Sequence, residues 1–383
     1  MNIALRSILF LVLVLCLPFT SHAAIDYEYL DARIEVLMRR DDMMGLSIAV
    51  VEDGEIRFVK GYGYTAENGQ RVDENTRFRW ASVSKGLAGS LAAQLEQEGR
   101  LSLDAHIVDF GTSLRLPGFG ENYATVRDLL SHKLGIQTRA FNSLLERGSE
   151  PKDIRASLAS LKPACPVSDC HKYQNVAFDT ISEIFERVTG EDFEHLAQHK
   201  VFGPLGMTSA TTTYEGLTST SNYARPHSWS IGQKRLYPDG VTLPYFKIAS
   251  AAGVSSSITD MGRFLQAQIG AHPAVFHPEA LRRAQEPQVR TLGTELKVQS
   301  SFEHISKAEY GLGWRIYDYN GHKLVGHEGM VRGSRAFILF DPQERSGLAV
   351  MWNSNVTRPA GLQFEVMDMV YGLPKRDWMR LLD

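Results

Sequence analysis

Strand-like and helix-like runs follow one another along this chain in an order that leaves few architectures open. Near the start, "GLSIAVVEDGEIRFVKGYGY" (residues 45–64) is two apolar, β-branched runs joined at Asp53-Gly54, a dipeptide suited to a tight hairpin. Near the end, "HKLVGHEG", "SRAFILFD" and "SGLAVMWNSN" read as three further strands separated by short polar turns, followed by an amphipathic "LQFEVMDMVYG". Between them, helical periodicity dominates from Ser82 to about Leu161 and again from Val176 to His199, and an earlier helix is expected over Tyr27 to Arg40. Strands so far apart share one core only if both ends of the chain meet in one sheet and the helical middle is an insertion. The pattern therefore predicts one sheet built from the two ends of the chain, with a helical region inserted in the middle. No internal repeat or low-complexity linker interrupts it.

The chain has 383 residues, 43% hydrophobic and 22% charged, which suits a globular protein with a large core. A net charge of -3 with mixed signs throughout gives no basic stripe, arguing against nucleic acid or anionic lipid and for a small-molecule partner. The first residues read as a cleavable secretory signal: Arg6, the apolar run "ILFLVLVLCLPF", and the small residues Ser21 and Ala23 before Ala24. That run is shorter than the roughly 20 residues a membrane anchor needs. Leu15 is too bulky beside Cys16 for a lipoprotein site. Residues 1–23 are expected to be removed, leaving a monomeric periplasmic or secreted protein with no stable membrane anchor. In such a compartment Cys165 and Cys170, separated by "PVSD", are expected to form a disulfide. The rival is a metal site made by "CPVSDCH" with His171.

"WASVSKGLAGSL" places Ser82 and Lys85 one helical turn apart where a strand-like run becomes a helix-like one. Ser-x-x-Lys is unspecific, and the chain holds a second copy, Ser149 to Lys152, among charges and beside Pro151. There Ser149 reads as a surface helix cap. Ser82 instead opens a helix that must be buried on one face, so Lys85 would point toward it in surroundings dry enough to lower its pKa and let it take the serine proton. Further on, "CHKYQNVAF" sets Tyr173 and Asn175 in a polar turn, where a phenol could relay a proton and an amide could hold a substrate carbonyl. "LVGHEGMVRG" places His327 and Gly329 on a strand, the glycine permitting close backbone approach.

In this order the three motifs resemble the serine β-lactamase and penicillin-recognising enzyme superfamily, in particular its class C β-lactamase and D,D-carboxypeptidase-like branch. "TVRDLLSHKLGI", "VFGPLGMTSA", "NYARPHS", "AAGVSSSITDMGRFL" and "GLAVMWNSN" extend the resemblance over nearly the whole mature chain. It implies an α/β (α+β) β-lactamase-like fold, an antiparallel sheet flanked by helices with an inserted all-helical domain, in which 24–80 and 245–383 form the sheet domain and 81–244 a mainly helical one, with the active site in the cleft between them. It also implies an acyl-enzyme mechanism without metal or cofactor. Ser82 is the nucleophile, and Lys85 and Tyr173 share the base and acid roles. Asn175 binds a substrate amide, and the N–H groups of Ser82 and Met330 form the oxyanion hole.

The third motif departs from the β-lactamase form: His327 stands at the lysine position and Glu328 at the hydroxyl position. Glu328 would repel a substrate carboxylate unless it points away, and Arg332, or else Arg335, is the expected replacement for the missing positive charge. With an ordinary imidazole pKa near 6.5, His327 is expected to favour anionic substrates as pH falls from 8 toward 6. The expected activity is β-lactam hydrolysis. The alternatives are a D,D-peptidase on peptidoglycan-type D-Ala-D-Ala peptides, a carboxylesterase, and a penicillin-binding sensor that does not turn over.

Overall fold

The computed structural model describes residues 24–291 and 304–382; the predicted signal, residues 1–23, lies outside them. In chain order the strands are β1 (Gly45–Glu52), β2 (Glu55–Gly63), β3 (Phe78–Arg79), β4 (His227–Ser230), β5 (Arg235–Pro238), β6 (Ser255–Ser256), β7 (Val289–Arg290), β8 (Ile305–Tyr310), β9 (Arg315–Tyr319), β10 (His322–Val331), β11 (Ser334–Asp341) and β12 (Ser346–Trp352). Asp53 and Gly54 both take positive φ, 54° and 84°, and turn β1 into β2 as the dipeptide predicts. Among the described residues one antiparallel sheet runs β2-β1-β12-β11-β10-β9-β8-β7. The two ends of the chain meet where β1 pairs with β12, from Leu46↔Trp352 to Val51↔Gly347.

Both faces of the sheet are covered, and the two-residue period of the strands sorts their side chains between two cores. In β1, Ala49 and Val51 enter one core and Leu46, Ile48 and Val50 the other; in β11, Ala336, Ile338 and Phe340 oppose Phe337 and Leu339. The first core takes Leu87 and Leu91 of the Ser84–Gln97 helix and Phe264 and Leu265 of the Ile258–Gln268 helix. The second is closed by the terminal helices Tyr27–Met38 and Leu362–Val370.

Three features differ from expectation. The helical run from Ser82 to Leu161 is one long helix, Ser84–Gln97, followed by short pieces at Val126–Leu130, Asn142–Glu146 and Pro151–Ser157. Gly99, Gly111 and Gly118, all at positive φ, break it between residues 98 and 125. Strands β7 to β9 were not anticipated, being short and carrying polar residues such as Lys307, Glu309 and Asp318. The Leu362–Val370 helix is buried all round rather than amphipathic: Glu365 pairs with Arg33 at 2.8 Å, and Asp368 accepts from Tyr319 and Trp378. Cys165 and Cys170 are joined in a disulfide, so they are not metal ligands and the metal reading with His171 falls. Among the described residues no helix is long and apolar enough to cross a membrane.

Candidate active site

Strand β3 runs into a tight 3-10 turn, Ala81–Val83, and then into the Ser84–Gln97 helix. Ala81 sits at φ 48°, a left-handed conformation costly for a residue with a Cβ, and this sharp bend carries Ser82. Three buried hydrogen bonds hold the bend. Trp80 Nε1 donates to Ser256 Oγ (2.8 Å), Ser84 Oγ donates to the Ala81 carbonyl (2.7 Å), and the Val254 N–H donates to Ser84 Oγ (3.1 Å). Ser82 thus precedes the helix rather than opening it, and Lys85 lies in the first helical turn. The second Ser-x-x-Lys copy is unlike it. Lys152 is exposed, and the helix cap there is Glu150 rather than Ser149, because Pro151 occupies the first helical position.

Lys85 is 0% exposed. Its Nζ lies 2.8 Å from Asn175 Oδ1, 2.8 Å from the Ala251 carbonyl and 3.4 Å from Ser82 Oγ. Burial, and then the charge of Arg315, hold its pKa well below the usual lysine range. A neutral amine has two hydrogens and one lone pair. With both hydrogens given to the Asn175 and Ala251 oxygens, the lone pair is left for the Ser82 hydroxyl proton. The Nζ also lies 4.8 Å from the Tyr173 ring centroid, and Tyr173 itself is 9% exposed.

Strand β10 closes another side. Its pairing with β9 ends at Gly326↔Arg315, and the next residues run beside the Ser82 turn. A Cβ at Gly329 would stand 2.1 Å from the Trp80 carbonyl and 3.0 Å from the Ser82 nitrogen, so only glycine lets these backbones approach. His327 and Gly329 are on the buried side of the strand; Glu328 and Met330 are on the exposed side. Glu328 points away from Ser82, with its Oε1 3.4 Å from Gln363 Nε2 of the C-terminal helix.

His327 corrects the expected pH dependence. It is buried, its Nδ1–H donates to the Glu328 carbonyl at 2.7 Å, and Nε2 accepts from the Tyr310 hydroxyl at 3.0 Å. Burial, then the charge of Arg315, push its pKa well below the ordinary value, which favours the neutral ring. Arg332 lies in the turn after β10, is mostly exposed, and is committed to Asp239 at 2.7 Å. Arg335 donates to the Asn355 carbonyl at 2.9 Å. The positive charge near Lys85 comes instead from Arg315, at the start of β9, 5.8 Å from both the Tyr173 and Tyr310 ring centroids. Ser82, Lys85, Tyr173, Asn175, His327 and Gly329 are therefore brought together, whereas Arg332 is held elsewhere.

A family model described as Beta-lactamase matches residues 30–367. Among solved structures, the chain is similar to an octameric penicillin-binding protein homologue from Pyrococcus abyssi (TM-score 0.80, 24% identity, covering 91% of this chain and 78% of that one). It is also similar to a class C beta-lactamase (TM-score 0.72, 21% identity, 91% and 98%). Both likenesses bear on the fold. Among curated sequences it is 24% identical over 367 residues to an unguisins hydrolase of Aspergillus violaceofuscus, covering 87% of this chain and 63% of that protein. It is 23% identical over 342 residues to protein flp of Staphylococcus aureus, covering 86% and 63%. The chain thus spans 63% of the length of these two relatives.

Proposed function

The chain belongs to the beta-lactamase family, and from that premise we propose that it is an exported serine hydrolase that opens β-lactam-type amides through an acyl-enzyme on Ser82. The observation that carries the reading is the fully buried Lys85 amine 3.4 Å from Ser82 Oγ, its pKa lowered by burial. As Oγ bonds to the substrate carbonyl carbon, Lys85 Nζ takes the hydroxyl proton. The oxyanion is held by the N–H groups of Ser82 and Met330, on the backbones that Gly329 brings together. The proton passes through the Tyr173 phenol to the leaving nitrogen as the carbon–nitrogen bond breaks, and water then releases the acyl group. Asn175 spends its oxygen on Lys85, leaving its amide N–H groups for a substrate carbonyl. Arg315 draws the substrate carboxylate, and neutral His327 holds Tyr310 in place. The disulfide supports export to a periplasmic or extracellular compartment.

A second reading, hydrolysis of a peptide ending in a free carboxylate, is favoured by Arg315 because nothing about that charge requires a lactam ring. A chromogenic cephalosporin separates the two. Continuous colour development supports β-lactam hydrolysis. A stoichiometric burst, with turnover of a D-Ala-D-Ala peptide, supports the peptidase. Absence of both, with cleavage of a p-nitrophenyl ester, overturns both in favour of an esterase.

A further inference from the structure

Residue 132 is a histidine kept under two energetic costs. Its backbone lies at φ 59°, a left-handed conformation that glycine or asparagine adopts more easily, and its Nε2 is buried without a hydrogen-bond partner. Neither cost is needed to fill space. The backbone conformation is explained by what else the residue touches.

The His132 carbonyl accepts the Lys172 N–H at 2.8 Å, and its Nδ1 accepts the Gln174 N–H at 3.2 Å. Tyr173 lies between those two residues. Its ring is 4.4 Å from the imidazole, centroid to centroid, against 6.3 Å to His327 and 6.4 Å to Tyr310. One residue therefore fastens the chain on both sides of the tyrosine and covers its ring, and the left-handed backbone lets carbonyl and ring face the same segment. We infer that His132 is a positioning residue for Tyr173, holding the phenol where it can pass a proton between Ser82 and the leaving group. This rests on the acyl-enzyme reading above. Nδ1 accepts only while the ring is neutral, and burial, which lowers the ring's pKa well below the ordinary imidazole value, favours that form.

Asparagine tolerates the left-handed backbone and places its Oδ1 near the position of Nδ1; glycine tolerates the backbone and has no acceptor. With a chromogenic cephalosporin or a p-nitrophenyl ester, H132G is expected to acylate about 100-fold more slowly than wild type, the cost of a roughly 1 Å misplacement, with KM little changed. H132N is expected to regain most of the rate. H132Q, whose acceptor falls near Nε2 instead, repeats the comparison without glycine and is expected to remain slow. Equal rates in H132G and wild type, or equal losses in H132N and H132Q, overturn the inference. A wild type that acquires no acyl group on Ser82 overturns the acyl-enzyme reading itself, and this inference with it.

Discussion

If Lys85 works as a neutral base, the enzyme's pH profile must differ from that of an ordinary lysine by orders of magnitude. A solvated lysine with pKa near 10.4 is neutral in about one molecule in 2,500 at pH 7. A rate depending on that form would climb tenfold per pH unit, about 100-fold between pH 7 and 9. Lys85 is fully buried, and Arg315 and Arg139 add to the burial effect while Asp179 opposes it. Its pKa is lowered, so the proton-accepting form is present above the lowered value and lost as pH falls through it. The prediction is a rise in kcat/KM of well under tenfold per pH unit between pH 7 and 9 for a neutral p-nitrophenyl ester, whose own charge does not change. Burial also lowers the pKa of His132 and His327, so neither is expected to add an inflection at the ordinary imidazole value. A rise of tenfold per unit up to pH 9 would refute a neutral Lys85, and a fall between pH 6 and 8 seen with an anionic substrate and not with the ester would restore the titrating histidine.

Arg315→Ala is expected to raise KM for a carboxylate-bearing substrate by about 10- to 150-fold, the range for a charged hydrogen bond, with ester cleavage nearly unchanged. Arg332→Ala, removing a mostly exposed guanidinium whose partner is Asp239 rather than the site, is expected to change both by no more than about twofold; steady-state kinetics on the two substrates separates them. Gly329→Ala is expected to abolish acylation while thermal unfolding remains cooperative, because its methyl group would fall on the Trp80 carbonyl beside Ser82. Retained acylation in that variant would move the oxyanion hole away from this strand. Replacing Cys165 and Cys170 together by serine is expected to cost about 2 kcal/mol in denaturant unfolding, as befits a short closed loop.

The sequence is most legible where neighbouring residues answer to local rules. Asp53-Gly54 specifies its own turn, and the run of small and apolar residues after Ser82 announces a buried helix, which distinguishes Lys85 from the exposed Lys152. The same rules fail for charges set by distant elements. Arg315 was missed because β9 was missed: five mixed residues give too little periodicity to place an arginine beside a tyrosine 142 positions earlier. His327 was misjudged because its neighbours Tyr310, Arg315 and Lys85 come from two strands and a helix. Arg332 looked available because Asp239 lies far away in sequence, just after the β4–β5 hairpin. Within the quoted "TVRDLLSHKLGI", the histidine gave no sign of its hold on Tyr173; that hold depends on a backbone angle which no propensity assigns to a histidine.

Covalent labelling tests the central claim most directly. Wild type, Ser82→Ala and Ser149→Ala proteins are incubated with a fluorophosphonate or a fluorescent penicillin, digested, and the modified peptide is sequenced by mass spectrometry. The account predicts one adduct on Ser82 in wild type and in Ser149→Ala, and none in Ser82→Ala. A Ser82→Ala protein that still labels at the same rate, or an adduct on any other residue of wild type, would contradict it.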